Sequence, residues 1–223
     1  MNFIKIMWFM VAKDVLIELR TKEFLSASLV LGLLLVIVLN FGMQMSAADW
    51  IMSGPGILWI CFLFTSVIAV GKVFENDFNT NALLGVDLLG LNRDFIFIAK
   101  ALSVFILISV MELILIPIFI VLLGFNPISL FLLLPVVLFN IGFSLISTVF
   151  AVVARQTKSK DIMLPILLLP INLPILIAAV EMTHIISGEF VFTDLTNWLV
   201  VLVGFDLVYL VICPWIFGII LEE

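Results

Sequence analysis

The stretch KVFENDFNTNALLGVDLLGLNRDFIFIAK, from Lys72 to Lys100, separates two long apolar runs and carries charges of both signs. Its middle has the apolar spacing of a helix, because Leu84, Leu88 and Leu91 recur at i, i+4 and i+7. We predict a short amphipathic helix there, held between two membrane spans. Two roles suit such a helix, and the residues alone leave both open. It is either a surface that a partner protein presses on or a helix lying in the lipid headgroups.

The composition of the whole chain decides the class of protein. Hydrophobic residues make up 65% of the chain and charged residues 12%, and the mean hydropathy is +1.39. Such a chain has far more apolar surface than one small soluble core can bury. We therefore predict an all-α integral membrane protein. The net charge of -6 predicts no particular partner, because the acidic residues form no block.

The chain offers no chemistry of its own. Cys61 and Cys213 are the only two cysteines, and each lies inside an apolar run, which excludes a disulfide framework and a zinc site. No nucleophile with a matched base, no metal-ligand cluster and no basic nucleic-acid face occurs. We predict no catalytic residue, no metal and no nucleic acid, so any ATPase activity belongs to a partner chain.

Hydropathy predicts one transmembrane domain over residues 1–223 with about six spans, each near the ~20 residues that a bilayer requires. The predicted spans are 24–41, 55–74, 95–124, 128–154, 162–180 and 198–221. Residues 75–94 are predicted to form a cytoplasmic coupling segment and residues 181–197 an extracytoplasmic segment. Residues 1–23 predict a helix along the membrane interface. Its apolar stripe consists of Ile4, Trp8, Val11, Val15 and Leu19. The basic residues Lys5, Lys13 and Arg20 lie roughly opposite this stripe and are expected to snorkel.

The basic residues predict the orientation. Segments 42–54, 125–127 and 181–197 contain no Lys or Arg, whereas all of them lie in the N-terminal segment or in and beside the two alternate loops. The positive-inside rule therefore places both termini in the cytoplasm.

The fifth predicted span carries three prolines, Pro165, Pro170 and Pro174. Each removes a backbone donor and disfavours helix at the preceding residue. We expect this span to be kinked or partly unwound, with neighbouring protein or water satisfying the freed carbonyls.

Two acidic residues, Glu112 and Asp206, fall within predicted spans, where a charged carboxylate costs roughly 2.5 to 3.5 kcal/mol. We expect them to be protonated or hydrogen-bonded to polar side chains of other spans, namely Asn140, Asn172, Ser109 or Thr148. They either line a proton or solute path or bind the spans together.

His184, the single histidine, lies on the predicted outer side. It is either a haem contact or an ordinary interfacial histidine, and no C-x-x-C-H motif accompanies it.

Four segments carry a resemblance to a known family. They are GPGILWI at 54–60, VGKVFEND at 70–77, FIAK at 97–100 and LLLPINLPIL at 167–176. Together they resemble the CcmB family, haem exporter protein B, the membrane subunit of the ABC system of cytochrome c maturation. The resemblance runs along nearly the whole chain in the same order.

This resemblance implies an ABC-2-type permease in the bacterial cytoplasmic (inner) membrane. It implies a CcmA-type nucleotide-binding subunit that carries the ATP, with no cofactor bound by this chain and haem as the implied cargo. Further implied partners are a second permease copy or a CcmC-like haem-handling subunit, and a haem chaperone on the outer face. The implied ATPase interface lies in the coupling segment, at Phe78, Leu83, Leu84, Asp87 and Leu88.

Two other functions are compatible with the residues. A proton-coupled carrier of small solutes would use Glu112 and Asp206 and would need no ATPase. A structural scaffold of a membrane assembly complex would need no ATP hydrolysis.

Overall fold

The protein is represented by a computed structural model that describes residues 3–43, 47–79, 92–123, 130–155, 160–187 and 192–220. Seven α-helices and one short 3₁₀ turn, Leu130–Leu132, lie in these ranges, and the same ranges contain no strand. The helices are α1 Phe3–Thr21, α2 Glu23–Met43, α3 Ala47–Asn79, α4 Arg93–Leu123, α5 Leu133–Arg155, α6 Lys160–Ser187 and α7 Phe192–Ile220.

Six of these helices, α2 to α7, are long and apolar enough to cross a membrane. Their apolar stretches are Leu25–Gly42, Met52–Glu75, Arg93–Leu122, Leu133–Ala154, Ile162–Ser187 and Thr193–Ile220. The predicted fold class, all-α with about six membrane spans, is confirmed. We call the end of the bundle where α3 finishes and α4 begins the basic end, because Lys72, Arg93 and Lys100 lie there.

Helix α5 lies at the centre of the bundle, where it packs against α3, α4, α6 and α7. Its apolar stretch is 72% buried, whereas those of α2 and α7 are 17% and 22% buried. Most of the surface of α2 and α7 is therefore left uncovered by the rest of the chain, whereas α5 is enclosed by it.

An aromatic contact fixes α3, α5 and α6 to one another. The ring of Trp59 on α3 meets the ring of Phe139 on α5 edge to face, with centroids 4.8 Å apart. Trp59 Nε1 also donates to Thr183 Oγ1 on α6 at 2.8 Å. Since both contacts are buried, the indole satisfies its donor while filling the core.

A tight corner joins α1 to α2. Lys22 has a φ of 56°, in the left-handed region, and its N–H donates to the carbonyl of Glu18 at 2.7 Å. The side chain of Glu18 accepts a hydrogen bond from the backbone N–H of Leu25 at 2.9 Å, which satisfies a free donor in the first turn of α2. The end of one helix therefore caps the start of the next.

Helix α6 excludes one of the two outcomes expected for the proline-rich span, a kink or partial unwinding. It is continuous from Lys160 to Ser187 with Pro165, Pro170 and Pro174 inside it, so partial unwinding does not occur. Side chains supply donors in this stretch, since Asn172 donates to the carbonyl of Leu168 and Tyr209 of α7 donates to that of Ile171. These two carbonyls are not the ones that the prolines leave without a backbone donor, which by the i→i−4 spacing are those of Asp161, Ile166 and Pro170.

The predicted extracytoplasmic segment, 181–197, is also largely helical. Helix α6 continues to Ser187 and α7 begins at Phe192, because Ile185 and Ile186 pack partly buried against the core and extend the helix beyond the last apolar run.

Candidate functional site

A buried cluster of four charged side chains lies at the basic end. Lys100 Nζ of α4 donates to Asp14 Oδ2 of α1 at 2.7 Å and also to Asp77 Oδ2 of α3. Lys13 Nζ contacts the other oxygens of the same two carboxylates, at 2.9 Å from Asp14 Oδ1 and 3.1 Å from Asp77 Oδ1. Each ammonium therefore bridges both carboxylates, and the four side chains form a closed, electrically balanced ring across three helices.

Burial makes this ring energetically significant. Lys100 is 2% exposed, Asp77 4% and Asp14 8%, while the side chain of Lys13 is 43% exposed. An ion pair taken out of water is strongly destabilising if one partner is removed, because the other is left as an uncompensated charge. The ring therefore fixes the relative positions of α1, α3 and α4, because no helix can leave it without exposing an uncompensated charge on another.

The charges in the ring support one another. Burial disfavours the carboxylate of Asp14, but the Lys100 ammonium and its hydrogen bond outweigh burial and hold the pKa of Asp14 below its usual value. Burial also disfavours the Lys13 ammonium, and the charges of Asp14 and Asp77 outweigh it and raise the pKa of Lys13. Asp14 and Lys13 are therefore both charged at neutral pH.

The ring also turns α1 so that two acidic residues face the bundle beside one residue of the predicted apolar stripe. Its most buried positions are Val11, Asp14 and Glu18, which share one helical face. Lys13, predicted to snorkel at the membrane interface, bonds to Asp77 of α3 instead. The exposed positions include four large apolar residues, Trp8, Phe9, Leu16 and Leu19, together with Lys5 and Arg20. Helix α1 therefore attaches to the bundle through acidic residues and presents apolar residues outward.

The ring lies next to the predicted coupling segment. Asp77 is near the end of α3, and Arg93, which begins α4, donates from Nη1 to the carbonyl of Gly218 on α7 at 3.0 Å. The predicted ATPase-facing residues Leu83, Leu84, Asp87 and Leu88 lie outside the described residues. For Phe78 the structure describes only the backbone, which is helical.

A groove of about 240 Å³ also opens at the basic end, between α3, α5 and α6. Its wall includes Gly71, Lys72, Ala154 and Pro165. One of the three prolines singled out from the sequence thus lies against the same end of α3 that carries Asp77.

Deeper in the bundle, Glu112 of α4 is bound to α5. Asn140 Nδ2 donates to Glu112 Oε2 at 2.6 Å and to Ser109 Oγ at 3.2 Å. The expected partnership of Glu112 with Asn140 is confirmed, and Ser109 belongs to the same network.

Asp206 of α7 has a different environment. It is 7% exposed, and a Cβ added at Gly142 of α5 would collide with its Oδ1. The carboxyl group thus lies directly on the backbone of α5. Neither oxygen has a hydrogen-bond partner among the described residues, so the expected bonds to Asn140, Asn172, Ser109 or Thr148 do not form there. Asn140 and Gly142 are about 200° apart around α5, so Glu112 and Asp206 occupy different sides of that helix and share no site.

The remaining predicted site residue, His184, lies in the last turn of α6 and is exposed. It follows Thr183, the acceptor of the Trp59 hydrogen bond. His184 is therefore placed at the end of the bundle opposite the charged ring.

One comparison with known proteins decides the family. The family model described as CcmB protein matches residues 5–222, which is nearly the whole chain. The chain belongs to the CcmB family. No curated protein matches the chain significantly.

Membership in the CcmB family defines the chain as a membrane permease component, of the haem exporter and ABC type, in cytochrome c maturation. It also makes it a multi-pass membrane protein, in agreement with the six apolar helices. Proteins of the CcmB family function with an ABC ATPase and haem-handling components.

The charged ring is the feature that sequence reasoning missed. Lys13, Asp77 and Lys100 had served only to judge orientation or to mark a family segment. One signal was available, since Asp14 and Glu18 lie four residues apart on one face of a helix otherwise suited to lipid. An acidic pair there requires cations from another element.

Proposed function

We propose that this chain is the permease subunit that couples ATP hydrolysis by a separate CcmA-type ATPase to events on the outer face of the membrane. The event is delivery of haem or release of a haem-loaded chaperone during cytochrome c maturation. Haem is the cargo in this proposal, ATP binds to the partner subunit, and this chain supplies no catalytic residue.

One structural observation supports the coupling. Helices α3 and α4 run without interruption over Ala47–Asn79 and Arg93–Leu123, so the segment between them connects two helices that each cross the membrane. A force on that segment is carried along rigid helices rather than absorbed by loops. The surface that receives it comprises Phe78, Leu83, Leu84, Asp87 and Leu88.

The proposed sequence of events follows this path. ATP binding closes the ATPase subunits, which press on the segment around Leu84 and Leu88 and rotate α3 and α4. Helix α6 packs on α3, and its prolines lack backbone donors, so it bends more readily there and carries the movement toward the region near His184. Release on the outer face follows.

The proposed setting is the bacterial cytoplasmic membrane with both termini in the cytoplasm. The complete assembly has a second permease copy or a CcmC-like haem-handling subunit, since a closing pair of ATPase subunits needs two membrane partners. The distribution of Lys and Arg over alternate segments supports this orientation. A reporter domain that is active only in the cytoplasm is expected to be active when it is fused to either terminus.

Capture of the ATPase tests the proposal. The tagged chain is expressed with a CcmA-type ATPase, purified in detergent and compared with the Leu84→Asp/Leu88→Asp double variant. Wild type is expected to retain the ATPase. The double variant is expected to capture at least tenfold less ATPase, because two carboxylates replace the apolar contact. The matched control is Leu84→Met/Leu88→Met, which keeps the surface apolar and is expected to bind normally.

Each result has a distinct meaning. Failure of wild type to bind the ATPase, or cytochrome c assembly that continues with a hydrolysis-dead ATPase, rejects the coupled permease. Binding by the aspartate variant equal to that of wild type rejects the proposed interface while leaving the permease assignment intact.

A further inference from the structure

The charged ring connects α1 to the two helix ends that flank residues 80–91. Asp77 lies two residues before the end of α3, and Lys100 lies two turns into α4. Both bond directly or through Lys13 to Asp14 in the middle of α1. Among the described residues, α1, α3 and α4 are the only helices that contribute a side chain to this ring.

The contact between α1 and the bundle is therefore unlike the contacts among the spans. Apolar side chains slide past one another at small cost, since their attraction has little directionality. Charge-assisted hydrogen bonds are short and directional, and a buried ion pair cannot separate without leaving a charge uncompensated. Movement of α3 or α4 at the basic end must therefore either carry α1 with it or break the ring.

We propose that Lys100 and Asp14 are positioning residues that make α1 move as one unit with the ends of α3 and α4. Helix α1 is then a third element of the coupling unit rather than a passive interfacial helix. This inference rests on the proposed function, because it concerns how a push on residues 80–91 is transmitted.

The outward face of α1 gives this movement something to act on. Trp8 is 63% exposed and Phe9 is 75% exposed, so both aromatic side chains lie on the uncovered surface of α1. Aromatic side chains of this kind hold an amphipathic helix at the membrane interface. A rigidly attached α1 thus links the coupling segment to the lipid surface, and a detached α1 does not.

The first test uses Asp14→Asn, which keeps the shape of the side chain and removes the charge that α1 contributes. Lys100 retains Asp77 as its partner. The complex with the ATPase is reconstituted in vesicles, and ATP hydrolysis is measured alongside mature cytochrome c formed in cells. We expect the amount of chain in the membrane and capture of the ATPase to stay within twofold of wild type. Cytochrome c formed per ATP hydrolysed is expected to fall at least threefold.

A second variant guards against misfolding by the unbalanced charge. Asp14→Asn/Lys100→Met removes one anion and one cation together, leaving Lys13 paired with Asp77. It is expected to lower the same ratio at least tenfold. The matched control is Arg20→Met/Glu23→Gln, which removes one cation and one anion at exposed positions outside the ring and is expected to leave the ratio unchanged.

A purely structural role would lower protein amount without changing the ratio of product to ATP, so that ratio is the deciding measurement. A wild-type ratio in both Asp14 variants overturns the inference, and so does loss of ATPase capture by them, because the ring would then serve binding rather than transmission. Failure of the proposed function is recognised separately, since wild type itself would not retain the ATPase.

Discussion

Asn140 and Glu112 meet at 2.6 Å, amide nitrogen to carboxyl oxygen, in the buried contact between α5 and α4. The same amide group reaches Ser109 at 3.2 Å, so a single side chain of α5 bonds to two positions of α4. The acidic residue that was predicted either to line a solute path or to bind spans together has a neighbouring helix as its partner.

Removing one partner of this contact is expected to destabilise the protein. Glu112→Leu leaves Ser109 as an acceptor for the buried Asn140 amide but takes away the acceptor of its second N–H, which costs about 1–3 kcal/mol of unfolding free energy. Glu112→Gln keeps a polar partner and is expected to lose less. Thermal unfolding in detergent measures both, and Glu112→Leu/Asn140→Leu serves as the matched control because it removes both polar groups and should recover part of the loss. Equal stability of wild type and Glu112→Leu would contradict the prediction.

The close approach of α5 and α7 at Gly142 gives a second prediction. Gly142→Ala places a methyl group where Asp206 Oδ1 lies, and such overpacking costs about 1–3 kcal/mol. Asp206→Ala removes the obstruction, so the double variant should be more stable than Gly142→Ala alone. Gly204→Ala is the control, since a methyl group there meets open space. The same melting temperature for Gly142→Ala and Gly204→Ala would show that α5 and α7 have room for a methyl group at Gly142.

The charged ring predicts a large difference between two lysines. Lys100→Met leaves Asp14 and Asp77 buried with only Lys13 between them, and breaking a buried pair in this way costs about 3–5 kcal/mol. Lys72→Met removes a half-exposed partner of Glu75 and should cost about 0–1 kcal/mol. Unfolding in detergent, followed by tryptophan fluorescence, compares the two. Similar losses from both substitutions would mean that the ring does not depend on Lys100.

The pKa of Asp14 predicts how this stabilisation depends on pH. Because the folded-state pKa lies below the usual value of about 3.9, the contribution is complete above that value and is lost as pH falls through the folded-state pKa. Lys13 has a raised pKa, so its contribution is complete below about 10.4 and is lost as pH rises through the folded-state value. The stability difference between wild type and Asp14→Asn should therefore be constant between pH 6 and 9 and shrink in strong acid. A difference that already changes between pH 6 and 8 would argue against this assignment.

How far the sequence predicts this molecule depends on the range of each interaction. Membrane spans follow from local hydropathy, and the six apolar helices appear as predicted. The partner of Glu112 was among the few polar residues at a similar depth, so Asn140 could be named in advance. Continuity of α6 was missed because the effect of proline was judged locally, whereas this helix packs against α3, α5 and α7.

The charged ring could not be predicted, because its members are far apart in sequence. Asp77 and Lys100 are 23 residues apart in sequence, and the pattern around them indicates two spans with a loop, not a bond between the spans. Asp14 is farther still, in a helix whose predicted apolar stripe does not include it. Only the packing of α1 against α4 reveals that its acidic face turns inward.

The distance along the chain between Asp14 and Lys100 also fixes an order of events during synthesis. The two residues are 86 positions apart, so α1 leaves the ribosome long before the lysine that binds it exists. Until α4 has been inserted, Asp14 and Glu18 have no such bundle to turn toward and keep their charges hydrated at the surface. Docking of α1 is therefore a late step of assembly, and a nascent chain truncated before Lys100 should expose α1 to protease.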